Sequence, residues 1–376
     1  MTNKSVSNFD RVNNNTIPGT NLICDYFKNG PHRDTAEAYF LSHYHADHYT
    51  GLPKANWNKP IYCSEFTAKM LEKNYNFQKL ELLRIVKNYE IVKINDQVDL
   101  MTLPAHHCPG SVMFLFMIKM GPKKVKRVLF TGDFRLDFDD KRLQRVLNFG
   151  IDHIFFDATF KKEDFLPRKI LISRFKNFFS ENSAKKFKIA IKTYKIGKEI
   201  PVFTLLSIFK EKIWAPKTRE FSLKNENLQN EVFEKMKIFD LISEKDENFL
   251  RKNDYFTENP ENARIIVSSV KKIAKNTFLL EEDKTLKLDD DCDLIIIEAT
   301  GWVHKMGEDW RPKLIKKEEG VYLMKVPYSE HNSGPELSKF LMDHRKADLT
   351  DFMRKGSHTK NDCLKYIEVS AAKKVK

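Results

Sequence analysis

The stretch Tyr39-Phe-Leu-Ser-His43-Tyr-His45-Ala-Asp47-His48-Tyr-Thr-Gly-Leu52 decides how this chain folds. An apolar, strand-like run ends at Leu41 and leads into a tight turn with four potential metal ligands, His43, His45, Asp47 and His48. Alternate positions of an extended segment face the same way, so the first two imidazoles point together and the last two side chains reach elsewhere. A solvated loop accounts poorly for three histidines around one aspartate. The pattern predicts a metal site, and its donors suit zinc, or zinc with manganese, better than magnesium alone.

Further candidate ligands follow other apolar runs along the chain. These residues are Asp25, His107, Asp133 and His331. A single histidine after a strand is more often a hydrogen-bonded residue at the rim of the core. The ordered series instead favours strand ends that converge on one edge of a sheet and form one site.

The order of these residues resembles that of the metallo-β-lactamase fold. Asp157, in Phe155-Phe-Asp-Ala-Thr-Phe160, and His331, in Ser-Glu-His-Asn-Ser, are similar to motifs of its β-CASP nucleic-acid-processing branch. The resemblance implies an α/β protein, an αββα metallo-β-lactamase sandwich with an inserted α/β β-CASP domain. It spans about residues 17–341 and is least specific between about 200 and 290.

Four phrases resemble most closely the DNA-repair nucleases of this branch, the family that includes Artemis, Apollo and the interstrand crosslink repair nucleases. The phrases occupy residues 107–116, 131–135, 194–199 and 300–302. The resemblance implies a nuclear, monomeric enzyme of DNA repair or telomere-end processing. Its expected partners are DNA, as single-stranded or duplex ends with a 5′-phosphate, and DNA-repair or telomere proteins, with no membrane involved.

The resemblance also implies a role for each candidate ligand. One ion would be held by His43, His45 and His107, and a second by Asp47, His48 and His331. Asp133 would bridge the two ions, and Asp25 would orient a ligand imidazole from behind. The Cys-Pro-Gly sequence that follows favours His107, and not the adjacent His106, as the metal ligand.

The expected cofactor is Zn²⁺, as one or two ions, although Mg²⁺ or Mn²⁺ could support activity. Two cations about 3.5 to 4 Å apart can supply a hydroxide near neutral pH and hold the attacking and leaving oxygens of a phosphodiester. The expected catalytic carboxylates are Asp25, Asp47 and Asp133.

A second set of residues is expected to bind the end of the substrate. Lys198, in Ile-Gly-Lys-Glu, matches a family phrase whose lysine helps to hold a terminal phosphate. By the same resemblance, a 5′-phosphate pocket would also contain Asp157, Thr159, Ser329 and Ser333. A pocket for a chain end implies a 5′ to 3′ exonuclease.

The charge of the chain agrees with an anionic partner. The chain has 65 lysine and arginine residues against 52 aspartate and glutamate residues, and its isoelectric point is near 9.2. Residues 161–200 contain twelve basic and four acidic side chains. A basic surface gains affinity for a polyanion through counterion release, although a lysine-rich solvated surface explains many single lysines equally well.

Two departures from the family pattern stand out. Relatives usually carry a histidine in the middle of the β-CASP insert, and the best register places Ile266 there. We expect reduced or altered activity rather than a complete loss of activity, because the seven proposed ligands are complete without this histidine. The second departure follows Leu341, where residues 343–350 are polar and relatives continue into a hydrophobic strand.

Several alternative functions stay open. An Artemis-like, structure-selective endonuclease that cuts hairpins or overhangs in end joining is the nearest alternative. An RNA-processing endonuclease is disfavoured by Ile266, and a lactam or thioester hydrolase would not need a basic insert. A catalytically weakened protein that only binds DNA ends is the alternative from another class.

The chain divides by pattern into five parts. We expect a flexible segment at 1–16, the first part of the metallo-β-lactamase domain at 17–160, the β-CASP insert at 161–310, a return to the first domain at 311–345 and a basic tail at 346–376. Five scattered cysteines without Cys-x-x-Cys spacing indicate a reducing compartment, and no secretory signal is evident.

Alternation and capping residues predict the main elements. Predicted strands cover 38–41, 61–63, 98–103, 112–118, 128–131, 154–156, 187–191 and 320–326. Predicted helices cover 64–73, with Ser64 as cap, 141–148 and 169–179.

Overall fold

The computed structural model describes residues 15–52, 57–301 and 309–352. Most of the expected flexible segment 1–16, Trp302 and the tail beyond residue 352 lie outside these ranges. Asn15 is buried, and its side-chain amide donates a hydrogen bond of 2.8 Å to the carbonyl of Cys24. Thr16 forms a β-bridge with Ile23, so the ordered fold already includes the last two residues of the segment that we expected to be flexible.

Short strands and helices alternate up to residue 156. They are β1 (Leu22–Cys24), α1 (His32–Thr35), β2 (Ala38–Phe40), α2 (Ala46–Tyr49), β3 (Ile61–Cys63), α3 (Glu65–Met70), β4 (Leu83–Ile85), β5 (Ile91–Lys93), β6 (Val98–Pro104), β7 (Val112–Gly121), β8 (Lys124–Phe130), α4 (Lys141–Leu147) and β9 (His153–Phe156). Ser64 caps α3 as predicted, with its hydroxyl accepting from the Thr67 amide. The predicted end at Lys73 falls within a π-helical turn, Leu71–Tyr75, in which the chain continues after Met70.

Longer helices follow, with further strands between them. They are α5 (Arg168–Glu181), β10 (Phe187–Ile191), α6 (Glu199–Phe209), β11 (Ile213–Trp214), α7 (Lys217–Lys224), α8 (Glu226–Ile238), α9 (Glu244–Arg251), β12 (Ile265–Ile266), β13 (Lys271–Ala274), β14 (Thr277–Leu279), β15 (Thr285–Lys287), β16 (Asp293–Ala299), β17 (Ile315–Glu318), β18 (Val321–Val326), α10 (Gly334–Asp343) and β19 (Asp348–Asp351).

The chain forms two compact units. The first contains the described residues up to Asp164 and those from His331 onward, and the second runs from Phe165 to Glu330. We expected the return to the first domain at residue 311. The structure places residues 311–330 in the second unit, because β17 and β18 pair with its sheet through β16.

The first unit is a sandwich of two sheets. One sheet has the order β1-β2-β3-β4 with all strands parallel, and the other has the order β19-β9-β8-β7-β6-β5. Apolar side chains from both sheets, among them Phe40 and Phe114, form the core between them. A second core, which includes Leu143 of α4 and Phe340 of α10, covers the outer face of the six-stranded sheet. The two sheets thus pack face to face, and helices cover the outer face of the six-stranded sheet, in agreement with the αββα arrangement that we expected.

The polar segment after Leu341 contains a strand that the sequence did not predict. β19 pairs parallel to β9 at the edge of the six-stranded sheet. Leu349 and Phe352 are buried, and the Thr350 hydroxyl lies 2.9 Å from His153 Nε2. An edge strand needs few apolar side chains, which is why a hydrophobic run was not required here.

The second unit is built on a mixed sheet. Its strand order is β11-β12-β10-β16-β18-β17, and only β17 runs antiparallel to its neighbour among these pairs. Three further strands, β13 to β15, form a small antiparallel sheet. Ile266 of β12 is completely buried and packs in one core with Ala190 and Trp214. The residue at the position of the family histidine is therefore a core side chain.

Candidate metal centre

The strand order brings the predicted ligands to one edge of the first unit. β7 runs antiparallel to both β6 and β8, and β8 runs parallel to β9, so β6, β8 and β9 share one direction. Their carboxyl ends lead into His107, Asp133 and Asp157. Strands β1 and β2 are likewise parallel and end before Asp25 and the His43 loop.

Three imidazoles meet nitrogen to nitrogen at this edge. His45 Nδ1 lies 2.9 Å from His43 Nε2 and 3.1 Å from His107 Nε2. The ring centroids of His43 and His107 are 4.8 Å apart, and both residues are buried. Three imidazoles that face one another in this way match the expected donor set of the first ion.

Asp133 lies between this group and the other two histidines. Its Oδ2 is 3.3 Å from His48 Nε2, 3.7 Å from the Nε2 atoms of His43 and His107, and 3.9 Å from His331 Nδ1. This central position is the one expected of a carboxylate that bridges two ions.

The residues present fit a divalent metal. Asp133 Oδ1 is buried and has no hydrogen-bond partner among the described residues, an arrangement that a cation would satisfy. Three groups of donors, each with ligand atoms within 4.8 Å of one another, share members across the edge. They are His43, His45, His107 and Cys108; Asp25, His43 and His48; and His107, Asp133 and His331. A donor set of several imidazoles with a carboxylate is one that zinc commonly takes in proteins.

Asp25 supports the ligands from behind. Its Oδ1 accepts from the Ser42 amide at 2.8 Å, and its Oδ2 lies 2.6 Å from the Ser42 hydroxyl and 2.8 Å from His48 Nδ1. The Ser42 hydroxyl is also 2.9 Å from His43 Nδ1. The network leaves the Nε2 atoms of His43 and His48 facing Asp133. Sequence reasoning missed Ser42, although its position directly before His43 was a usable signal.

His331 is held by Asp157, whose two oxygens have separate partners. Oδ2 lies 2.7 Å from His331 Nδ1, and Oδ1 accepts from the amide and hydroxyl of Thr159. Asp157 and Thr159, which we expected in a phosphate pocket, are thus engaged with each other and with a predicted ligand. Ser333 is also engaged, because its buried hydroxyl caps α10 in a capping box with Glu336.

His106 and Asp47 differ from the other polar residues of this edge. The His106 ring turns toward Asp140, with Nε2 3.0 Å from Oδ2, whereas the neighbouring His107 joins the imidazole group. The Asp47 side chain is 68% exposed, and its Oδ2 lies 3.7 Å from His48 Nε2. Asp47 is the most accessible of the predicted ligands, which places it where a substrate or solvent can approach.

Burial and neighbouring charges set the protonation of the group. Burial, reinforced by the adjacent imidazoles, holds the pKa of His43 well below its usual value, so this ring is neutral and can donate a lone pair. Burial would raise the pKa of Asp133, but His48 and His331 outweigh it and hold that pKa well below the usual range. Burial likewise opposes protonation of His48, yet Asp133 and Asp25 hold its pKa well above the usual value. An ionised carboxylate therefore lies at the centre of the histidines.

Lys198 and Ser329 belong to the second unit. Lys198 precedes α6 in the left-handed conformation, with φ of 64°, and its amide donates to Glu330 Oε1 at 3.0 Å. Its Nζ lies 4.3 Å from the centroid of the Tyr194 ring. Burial, partly opposed by Glu330, lowers the pKa of Lys198 to about 8.

Two family models match the chain. The beta-lactamase superfamily domain matches residues 20–175, and the DNA repair metallo-beta-lactamase domain matches residues 251–349. This chain belongs to the metallo-β-lactamase family of DNA-repair proteins with a β-CASP domain. The two matches cover the His43 loop, Asp133, Asp157 and His331, so they include the whole predicted ligand set of this metallo-β-lactamase family member.

Curated relatives show the same relationship. The chain is 27% identical over 344 residues to DNA ligase 6 of Arabidopsis thaliana and 26% identical over 359 residues to the DNA cross-link repair 1A protein of Mus musculus. These alignments cover 88% and 94% of this chain but 22% and 32% of the relatives. The 5′ exonuclease Apollo of Gallus gallus is 34% identical over 148 residues, 39% of this chain and 31% of that protein. The chain thus spans less than a third of the length of these three relatives.

Proposed function

We propose that this protein is a metal-dependent DNA nuclease of DNA repair or telomere-end processing that acts from 5′-phosphorylated ends in the 5′ to 3′ direction. The observation that carries the proposal is the convergence of the Asp133 carboxylate with the imidazoles of His43, His48, His107 and His331. Membership of a DNA-repair branch makes DNA the favoured substrate, and the names of the relatives include a 5′ exonuclease.

In this proposal His43, His45 and His107 would hold one Zn²⁺, Asp47, His48 and His331 would hold a second, and Asp133 would contribute to both sites. Bound cations supply a nucleophile from water near neutral pH and neutralise charge on the phosphodiester. The protein's own contribution is to keep the ligands in place. Asp25 accepts from His48 Nδ1 and Asp157 faces His331 Nδ1, so each carboxylate fixes the tautomer and plane of one ring.

The exposed Asp47 is assigned to the side from which the phosphodiester approaches, because its carboxylate is the accessible one of the group. Lys198 and Ser329 are proposed to hold the terminal phosphate. Lys198 carries a positive charge below about pH 8, which suits binding of a phosphate at neutral pH. Chain-end recognition of this kind is what makes the enzyme an exonuclease.

The test is digestion of single-stranded DNAs that carry a label at the 3′ end and either a 5′-phosphate or a 5′-hydroxyl. Wild type, Asp47→Ala and the control Asp139→Ala, an exposed acidic residue of the same unit, are compared with and without chelator. We expect a ladder that depends on the 5′-phosphate and is lost with Asp47→Ala or chelator but not with Asp139→Ala.

Other outcomes distinguish the remaining functions. Cleavage at internal positions of hairpins, independent of the 5′ end, would replace the exonuclease by an endonuclease. No cleavage by wild type, with metal bound and DNA retained, would favour a protein that only binds DNA ends. The buried Ile266 would then be the first position to change to histidine.

A further inference from the structure

The turn that presents Lys198 has an unusual backbone. Gly197 and Lys198 are consecutive residues with positive φ, 97° and 64°. A residue with a side chain seldom adopts such a φ unless its surroundings hold it there. The turn lies between β10 and α6, and its exposed residues include Lys195 and Tyr194, which is 60% exposed. What holds this turn therefore decides where the Lys198 ammonium lies.

Arg219 of α7 bonds to three successive points of the turn. Its Nη1 donates to the Lys195 carbonyl at 3.1 Å and to Glu199 Oε1 at 2.6 Å, and its Nη2 donates to the Gly197 carbonyl at 2.8 Å. Glu199 Oε1 in turn accepts from the Gly197 amide at 2.6 Å. Arg219 and Glu199 are almost fully buried, with exposures of 3% and 1%. The guanidinium and the carboxylate thus close a ring of hydrogen bonds around Gly197.

We propose that Arg219 is a positioning residue that keeps Lys198 available for the terminal phosphate and so sets the preference for 5′-phosphorylated ends. The inference rests on the proposed function, because it takes the phosphate of a DNA end as the ligand of Lys198. Arg219 acts through the turn and through Glu199, and it is not assigned to the phosphate itself.

The charges explain why a guanidinium is needed. Burial raises the pKa of Glu199, and the adjacent Arg219 opposes this and favours the ionised carboxylate. Lys198 directly precedes Glu199, and its ammonium already interacts with that carboxylate; without Arg219 this attraction would no longer be shared with a guanidinium. The ammonium would then be drawn to a buried carboxylate and away from a phosphate. A lysine at 219 keeps the charge but lacks the planar fork that reaches Glu199 and two carbonyls together.

The test compares wild type, Arg219→Lys, Lys198→Ala and the control Ser207→Ala. Ser207 is buried in α6 and donates to the Thr204 carbonyl of the same helix, so its loss does not touch the turn. The kcat/KM on DNA with a 5′-phosphate is divided by that on the same DNA with a 5′-hydroxyl. Affinity for the two DNAs is measured separately by fluorescence anisotropy in chelator, where cleavage cannot occur.

Arg219→Lys is expected to lower the phosphate-to-hydroxyl ratio about tenfold, the size expected from losing a hydrogen bond between charged groups. The loss should come through KM and the anisotropy affinity, with kcat on the 5′-hydroxyl DNA unchanged and Ser207→Ala like wild type. A purely structural role would lower both substrates alike. An Arg219→Lys ratio equal to that of wild type overturns the inference.

If Arg219→Lys does not fold, Ser222→Ala replaces it. The Ser222 hydroxyl donates to the Lys195 carbonyl at 3.0 Å and accepts from Arg219 Nη1 at 3.4 Å, so its removal loosens the same turn while both members of the Arg219–Glu199 ion pair stay in place. A smaller decrease of the ratio is expected, and an unchanged ratio overturns the inference. If wild type cleaves DNA without any preference for the 5′-phosphate, both the exonuclease assignment and this inference are overturned. If wild type shows the preference and Arg219→Lys keeps it unchanged, only this inference is overturned.

Discussion

The two carboxylate oxygens of Asp25 contact Ser42 and His48. His48 is itself a predicted ligand, and the Ser42 hydroxyl contacts a second one, His43. In the proposed function Asp25 would therefore act on a bound metal through these side chains. The same arrangement recurs at Asp157 and His331. Pairs of this kind fix the orientation of an imidazole before a cation arrives, which reduces the ordering that binding requires.

Asp25→Asn tests this role. The amide keeps the size of the side chain but removes the charge that His48 Nδ1 faces, so zinc affinity should fall about 10-fold to 100-fold, the range usual for such partners. Competition with a chromophoric chelator measures the affinity. Asp139→Asn, at an exposed acidic site of the same unit, should leave it unchanged. Equal affinities for Asp25→Asn and wild type would contradict the assignment.

The proposed role of Lys198 predicts that substrate choice depends on pH. Its pKa is about 8, lowered chiefly by burial, so the ammonium is charged below pH 8 and loses its proton as the pH rises through that value. The preference for a 5′-phosphate in anisotropy binding should therefore decline above about pH 8. Lys198→Arg keeps its charge at these pH values, so its preference should stay flat even if it is weaker. A parallel decline in the arginine variant would rule out Lys198 as the titrating group.

At the scale of elements, helix α10 holds the His331 segment against the first unit. Glu336 in its first turn bonds the buried Arg135 through Oε1 at 3.1 Å and Oε2 at 3.2 Å, and also completes the capping box with Ser333. Arg135 lies two residues after Asp133, so one ion pair ties the central carboxylate loop to the helix that follows His331. The phrase Thr-Gly-Asp-Phe-Arg contained this arginine, but nothing nearby in sequence indicated its partner.

Glu336→Ala is expected to lower the free energy of unfolding of the first unit by about 3 kcal/mol, because it leaves a buried guanidinium with less compensation. Urea unfolding monitors the change. Lys339→Ala, at an exposed position of the same helix, should stay within about 0.5 kcal/mol of wild type. If Glu336→Ala is as stable as the control, Asp137, whose Oδ2 lies 3.4 Å from Arg135 Nε, is sufficient to compensate the buried guanidinium.

At the scale of the whole molecule, the metal should stabilise the fold it binds. The proposed ligands come from loops after several different strands and from the segment that returns at His331, so one cation would join distant parts of the chain. A ligand that binds only the folded state raises the melting temperature. We expect zinc to raise and chelator to lower the melting temperature of wild type, and both effects to shrink in Asp133→Ala. An identical response in that variant would place the bound zinc elsewhere.

The net positive charge of the chain, which has 65 basic and 52 acidic residues, should govern DNA binding as a whole. With cleavage blocked by chelator, the logarithm of the affinity for DNA should fall linearly with the logarithm of the salt concentration. Lys198→Ala should reduce the slope as well as the affinity for 5′-phosphorylated DNA. Affinity that does not respond to salt would count against a polyanionic substrate and for the small-molecule hydrolase alternative.

Within the described residues, no helix is both long enough and apolar enough to span a membrane. Local patterns predicted most strands of the first unit, because period-2 alternation and buried runs are properties of short segments. They did not predict β19, whose few apolar side chains are sufficient only because β9 offers it an edge. They also set the domain return too early, since a strand pattern does not say which sheet the strand joins.

The sequence by itself determined which side chains are candidate donors, because the His-x-His-x-Asp-His loop and the aspartates after strands are contiguous features that can be recognised without a distant partner. Tertiary structure alone decided which side chains support the candidate donors and which support the turn that carries Lys198. Asp157 meets His331 across 174 residues, Arg135 meets Glu336 across 201, and Arg219 reaches a turn more than twenty residues earlier. Such contacts depend on how strands and helices pack, and packing joins residues whose separation along the chain carries no signal.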